Sequence, residues 1–153
     1  MAKVTTIGDT QQILAVYLGT EMFGVPISRV QGVLETLPLT FVPLAPPAVR
    51  GVMNLRGRIV TAIDLRSAIT ESERNAIPSR GDMSVVFEDQ GELFSLLVDT
   101  VGDVHTVPSA GIEPPPPTMA PALQRVSAGV YAMKQKIMII LKPSALLHTG
   151  DAA

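Results

Sequence analysis

The sequence predicts an all-β protein built as two small barrels of about five strands each, with a few short helices. Three observations carry that expectation. Strand–turn–strand patterns recur around Gly19, Gly57 and Gly91, where a glycine can supply the positive φ of a tight turn. The stretch Val49–Leu65 reads as a hairpin joined at Arg56-Gly57. Its second arm sets Ile59, Thr61, Ile63 and Leu65 on one face and Val60, Ala62 and Asp64 on the other. Both faces are largely apolar, which favours closure over a one-sided sheet. Finally, the chain resembles itself at two offsets.

Shifting by 71 positions lays Leu14 on Val85, Glu21 on Glu92, Phe23 on Phe94, Val25 on Leu96, Ile27 on Val98 and Ser28 on Asp99. It also lays Val30 on Val101 and Val33 on Val104. Shifting by 78 lays Gly51 on Gly129, Val52 on Val130, Leu55 on Met133, Arg56 on Lys134, Arg58 on Lys136 and Ile59 on Ile137. The difference between the offsets falls in the proline-rich loop. Two copies are too few for a solenoid, so paired subdomains are expected.

In chain order, Gln12–Leu18 and Met22–Ile27 form the first hairpin. Ser28 is a candidate N-cap with Gln31 as capping-box partner. Ile27, Val30, Val33, Leu34 and Leu37 recur at helical spacing, so a short helical turn follows. Pro38 interrupts it, Leu39–Val42 makes a short strand, and Pro43, Pro46 and Pro47 force an extended approach to the central hairpin. Arg66–Gly81 is polar and reads as a connector. Met83–Glu88 and Leu93–Val98 form a third hairpin, Asp99 repeats the cap position, and Val104–Val107 is another strand. The run Pro114–Pro117 is polyproline-like, which places residues 108–124 in a surface loop. After Pro143, Ser144–His148 is a short closing helix. The domain is expected over 12–148, with 1–11 and 149–153 poorly ordered.

With 153 residues, 46% of them hydrophobic, one ordinary core can form. There is no cysteine, which suits a reducing, cytoplasmic setting. The net charge of −2 without a lysine–arginine cluster gives no footprint for nucleic acid, and no apolar run suggests membrane insertion. The two histidines, His105 and His148, are too few for a metal site without thiols, and no metal or cofactor is expected. Asp64 and Asp99 are the available carboxylates for a catalytic pair, but Asp99 reads as a cap and Asp64 ends a strand. No nucleotide-binding or hydrolase motif occurs, so no catalytic residue is assigned and a binding module is favoured over an enzyme.

Two features look like binding surface. Arg56, beside Asn54 at the tight turn, can offer a forked hydrogen bond to a partner's carboxylate or carbonyl. It can equally be a solvated turn arginine, or one tied to Asp64 or another carboxylate of the chain. The apolar set Leu14, Ile27, Val30, Val33, Val98 and Val101 reads on its own as core.

Gly51-Val52-Met53-Asn54-Leu55-Arg56-Gly57 and the strand after it resemble the signature of the CheW family, the adaptors of bacterial chemosensory arrays. The Pro43–Pro47 approach, Leu97-Val98-Asp99 and Ile112-Glu113-Pro114 share that resemblance, which spans roughly residues 12–147. It implies two five-stranded SH3-like barrels. Between them lies a groove for a chemoreceptor's cytoplasmic tip helix, lined by Leu14, Ile27, Val30, Val33, Val98 and Val101, with Asn54 and Arg56 also facing the receptor. It also implies contact of the barrel ends with a CheA-type histidine kinase, to which no residue is assigned, and a monomer when alone. Two positions depart from the family. Gly32 stands where an acidic residue is usual after Val30-Gln31, and Lys142 where the closing strand commonly carries aspartate. These departures leave room for a module of a non-flagellar pathway, such as surface motility. A ligand-binding β-barrel is the alternative of another class, and a large pocket with convergent polar groups would mark it.

Overall fold

A computed structural model of the chain describes residues 9–69 and 80–147. In the first half, β1 (Thr10–Leu18) and β2 (Glu21–Pro26) form a hairpin. A 3₁₀ turn at Ile27–Arg29 leads to β3 (Val30–Glu35), and a second hairpin of β4 (Val49–Leu55) and β5 (Arg58–Asp64) ends in helix α1 (Leu65–Ile69). The second half repeats this order. It has the hairpin β6 (Met83–Asp89) and β7 (Glu92–Val98), then β8 (Thr100–Pro108), helix α2 (Pro121–Val126), β9 (Ser127–Ala132), β10 (Ile137–Leu141) and helix α3 (Pro143–Leu146). Local chemistry fixes the hairpins. Arg56-Gly57 and Gln90-Gly91 each have positive φ at both turn residues, the type I′ geometry that matches the twist of two antiparallel strands.

The strands form two five-stranded sheets, ordered β8-β1-β2-β10-β9 and β3-β6-β7-β5-β4. Replacing each strand by its repeat counterpart turns one order into the other. Neither sheet is one sequence copy, however. Each takes a hairpin from one half and three strands from the other, joined by the parallel pairs β2 with β10 and β5 with β7. Each sheet then closes on itself. Thr40 exchanges two backbone hydrogen bonds with Val52, at 2.8 and 2.9 Å, and Glu113 does the same with Val130. The expected strand at Leu39–Val42 is reduced to that single bridge at Thr40.

The closure explains a matched pair of glycines. A Cβ on Gly51, at φ +146, would lie 2.5 Å from the Thr40 carbonyl oxygen. One on Gly129, at φ +155, would lie 2.8 Å from that of Glu113. The closing segment therefore occupies the space where a side chain would stand.

Three apolar layers result. Ile13, Ala15, Met22, Val107, Met138 and Ile140 fill one barrel. Met53, Val60, Val86 and Leu93 fill the other. Between them lies a larger shared core that draws Leu14, Val16, Phe23 and Val25 from one sheet and Ile63, Val85, Phe87, Leu96 and Val98 from the other. Phe87 and Phe94 stack there, with ring centroids 5.8 Å apart.

Five local expectations are corrected. The helical spacing from Ile27 to Leu37 yields only one 3₁₀ turn, with no side-chain cap from Ser28. From Val30 the burial alternates residue by residue, because β6 offers a ladder and the period-two pattern packs Leu34, half-buried, against the barrel core. Asp99 caps no helix, since β8 starts at Thr100 and extends the expected Val104–Val107 strand. The 108–124 loop contains a 3₁₀ turn at Ser109–Gly111 and gives way to α2, whose Ala122 and Val126 are buried. The connector opens with α1, and β1 starts at Thr10.

Closure of the barrel predicts that Gly51→Ala lowers stability by about 1–3 kcal/mol, the usual cost of an incompatible backbone conformation, with Gly129→Ala similar. Urea unfolding checks this, and a change within about 0.5 kcal/mol, typical of a neutral surface site, would contradict it.

Candidate functional site

The β4–β5 hairpin turns at Arg56, a non-glycine residue at φ +54, and Gly57 at φ +85. Asn54 holds this turn, its Oδ1 accepting a hydrogen bond from the Gly57 amide at 2.8 Å. Asn54 therefore shapes the tip that presents Arg56. The guanidinium groups of Arg56 and of Arg58 have no ion pair or hydrogen bond among the described residues. Among the described residues Arg56 is tied to no carboxylate, and Asp64 lies at the far end of β5 in another network. Fully buried, Asp64 accepts from the Ser67 hydroxyl at 2.7 Å and amide at 3.3 Å, and pairs with Arg50 at 3.8 Å.

Beside the hairpin, across from β3, lies an open concavity of about 300 Å³. Leu34, Leu55, Val86 and Leu93 form its floor, and Gln31, Gly32, Val33, Arg56 and Arg58 line it. The floor is the core of that barrel seen through its mouth. Gln31 donates to Glu88 Oε1 at 2.8 Å, tying the β3 rim to β6. Val33 is 42% exposed and lines this concavity together with Arg56.

The remaining apolar candidates divide. Leu14 and Val98 are buried in the shared core and are not groove lining, since the two sheets pack directly over them. Ile27, Val30 and Val101 are half-buried at the edge of that core, where the chain crosses between barrels. Arg29 braces the crossing by donating to the Glu88 carbonyl at 3.2 Å and pairing with Asp89 at 3.4 Å. Asp99 braces its counterpart, accepting from the amides of Gly19 at 2.7 Å and Arg80 at 2.9 Å. Asp64 and Asp99 thus serve separate structural networks. His105 is half-buried on β8, whereas His148 lies outside the described residues.

Sequence reasoning passed over Arg58 as a site residue, although its alignment with Lys136 across the repeat was the available signal. It likewise passed over Arg29, which has no basic counterpart. No metal-ligating group of three or more side chains occurs among the described residues, and no helix among them is long and apolar enough to cross a membrane.

A family model described as the CheW-like domain matches residues 12–151. The chain is similar to the probable chemotaxis protein CheW of Rhizobium etli, at 27% identity over 95% of this chain and 92% of the relative. It is equally similar to the chemotaxis protein CheW of Klebsiella aerogenes, at 27% over 100% and 95%. Protein FrzA of Myxococcus xanthus is 28% identical over 92% and 87%. Among solved structures, the scaffolding protein TtCheW of Thermoanaerobacter tengcongensis superposes with a TM-score of 0.73 at 30% identity, covering 86% of this chain and 84% of that one. Fold and likeness together define a chemotaxis adaptor of the scaffolding class. The chain belongs to the CheW-like domain family.

The hairpin geometry separates turn shape from chemistry. Asn54→Ala is expected to cost about 1 kcal/mol through the lost bond to Gly57. Arg56→Gly should hold or raise stability, because a left-handed conformation costs a residue with a side chain about 1–2 kcal/mol. Thermal unfolding of both variants tests the pair, and a clear loss for Arg56→Gly would show that the guanidinium has a structural task.

Proposed function

We propose that this protein couples the cytoplasmic tips of chemoreceptors to a CheA-type histidine kinase, acting by binding rather than by catalysis. The observation that carries the receptor half of this reading is Arg56, a guanidinium held out on a strained turn with no partner among the described residues. Near it Val33 is exposed, and Ile27, Val30 and Val101 are half-buried. An amphipathic helix laid along these residues loses apolar surface to the protein, while the arginine fixes its register through a carboxylate or carbonyl. The protein then works in the cytoplasm at receptor arrays, its task being to hold receptor and kinase at high local concentration.

For the kinase, two matched patches are the favoured contacts. Ile59 is 63% exposed and Ile137 59% exposed, and the two are repeat counterparts on different barrels. Each lines a shallow depression with a cation and a carboxylate, Arg58 with Glu92 in one and Lys136 with Glu21 in the other. A scaffold held at both ends needs two such contacts, and an exposed isoleucine gains by being covered.

Titration with the cytoplasmic fragment of a chemoreceptor from the same cell is expected to show at least a tenfold loss of affinity for Arg56→Asp. Unchanged affinity would overturn the receptor assignment. Ile59→Glu and Ile137→Glu, at exposed positions, should leave unfolding unaltered yet reduce co-purification with the kinase, and retention at the wild-type level by both would remove these patches from the kinase contact.

A further inference from the structure

The insides of the two barrels differ where their backbones match. In the first, Ile13 and Met138 press on Gly24, where an added Cβ would run into Ile13 Cγ2 and Met138 Sδ, and Val107 belongs to the same apolar cluster. Their counterparts in the second barrel are Ser84 for Ile13, Val60 for Met138, Ser95 for Gly24 and Thr36 for Val107. Three hydroxyls thus stand where the first barrel has none. The side chains beside the central position are also shorter, because valine has no atom in the place of the methionine sulfur.

Strand register brings the serines together. β6 and β7 set Ser84 opposite Leu97 and Val86 opposite Ser95, which makes Ser84 and Ser95 diagonal neighbours. In the first barrel the same diagonal runs from Ile13 to Gly24, and it is the contact that leaves no space for a side chain there.

The hydroxyl protons can be counted. Thr36 Oγ1 donates to the Gly81 carbonyl, and the Thr36 and Ser84 hydroxyl oxygens lie 2.9 Å apart. A hydroxyl has one proton, so in this pair Ser84 donates and Thr36 accepts, which leaves Ser84 Oγ with acceptor capacity only. Ser95 is fully buried between Ala62 and Val86 of the neighbouring strands, and its Oγ has no hydrogen-bond partner among the described residues. An unpaired hydroxyl in such surroundings is costly.

We propose that the second barrel binds one water molecule between these serines, the water accepting from the Ser95 hydroxyl and donating to Ser84 Oγ. Two bonds of about 2.8 Å let a water join oxygens up to about 5.6 Å apart, which suits a diagonal pair with no direct bond. Two polar partners satisfy the minimum for a buried water, and the shorter Val60 and Ser84 give it room beside Ser95. The hydrogen bonds then run in one direction, from Ser95 through the water, Ser84 and Thr36 to the Gly81 carbonyl, so that each polarises the next. Thr36 also donates its amide to the Asp82 carbonyl at 2.9 Å, fixing the end of β3 to the entry of β6. Through the water, the middle of β7 joins that clamp from inside.

A high-resolution crystal structure of the full chain should show a water within hydrogen-bonding distance of both Ser95 Oγ and Ser84 Oγ. Water magnetic relaxation dispersion should count one long-lived water fewer in Ser95→Ala than in the wild type. In urea, Ser95→Ala should raise the unfolding equilibrium constant about threefold to tenfold, the loss of one ordinary hydrogen bond. Combined with Ser84→Ala, it should add less than its separate effect, because either substitution alone breaks the bridge. A crystal structure with Ser95 Oγ turned to a backbone carbonyl, or additive losses with the long-lived waters unchanged, would overturn the assignment. A more stable Ser95→Ala would also overturn it, by revealing an orphaned hydroxyl in a dry barrel.

Discussion

The apolar layer shared by the two sheets is the constraint from which the other features follow. Leu14, Val16 and Phe23 of one sheet meet Val85, Phe87 and Leu96 of the other, and all are buried. Because each sheet borrows a hairpin from the opposite half, the chain crosses this layer twice, once at Ile27–Arg29 and once at Asp99. Buried apolar area at a two-sided layer is lost all at once when either side leaves, so the barrels are expected to unfold as one unit. The side chains that brace the crossings, Arg29 and Asp99, act at the only points where the sheets are joined by consecutive residues.

Repetition of a backbone does not require repetition of its chemistry. At the end of β5, Asp64 is buried with Ser67 and Arg50 where α1 begins. At the matching end of β10 stands Lys142, exposed, with Pro143 as the first residue of α3 and no side-chain cap. Proline is tolerated there because the first helical amide has no partner to lose. One helix start is thus fixed by a carboxylate and the other by ring geometry. The same freedom operates inside the barrels, where Gly24 is crowded by Ile13 and its counterpart Ser95 lies diagonal to Ser84.

Much of the fold was legible in the chain because its determinants are local. The hairpins at Gly19, Arg56-Gly57 and Gln90-Gly91 follow from residues that accept positive φ, and the repeat follows from matched apolar and glycine positions. The exchange of hairpins was not legible, since both arrangements satisfy the same alternation and only non-local packing chooses between them. Short segments misled for the same reason. Val30–Glu35 fits both a helical and an alternating pattern, and the ladder offered by β6 decides it. At the candidate site Arg56 stands exposed, because the turn it occupies is itself a local feature. Burial of Leu14 and Val98 depends on a neighbouring sheet that no local pattern describes.

The exchanged hairpins also bear on where such a molecule comes from. Two identical half-length chains, each lending its first hairpin across a twofold axis, would build the same ten-stranded body, with Gly51 and Gly129 as one ancestral position and Thr40 and Glu113 as another. Joining them needs a single link between the strand-end helix α1 and β6. Once fused, the copies are free to diverge, and a symmetric ancestor with two equal faces becomes a chain able to treat its two neighbours differently.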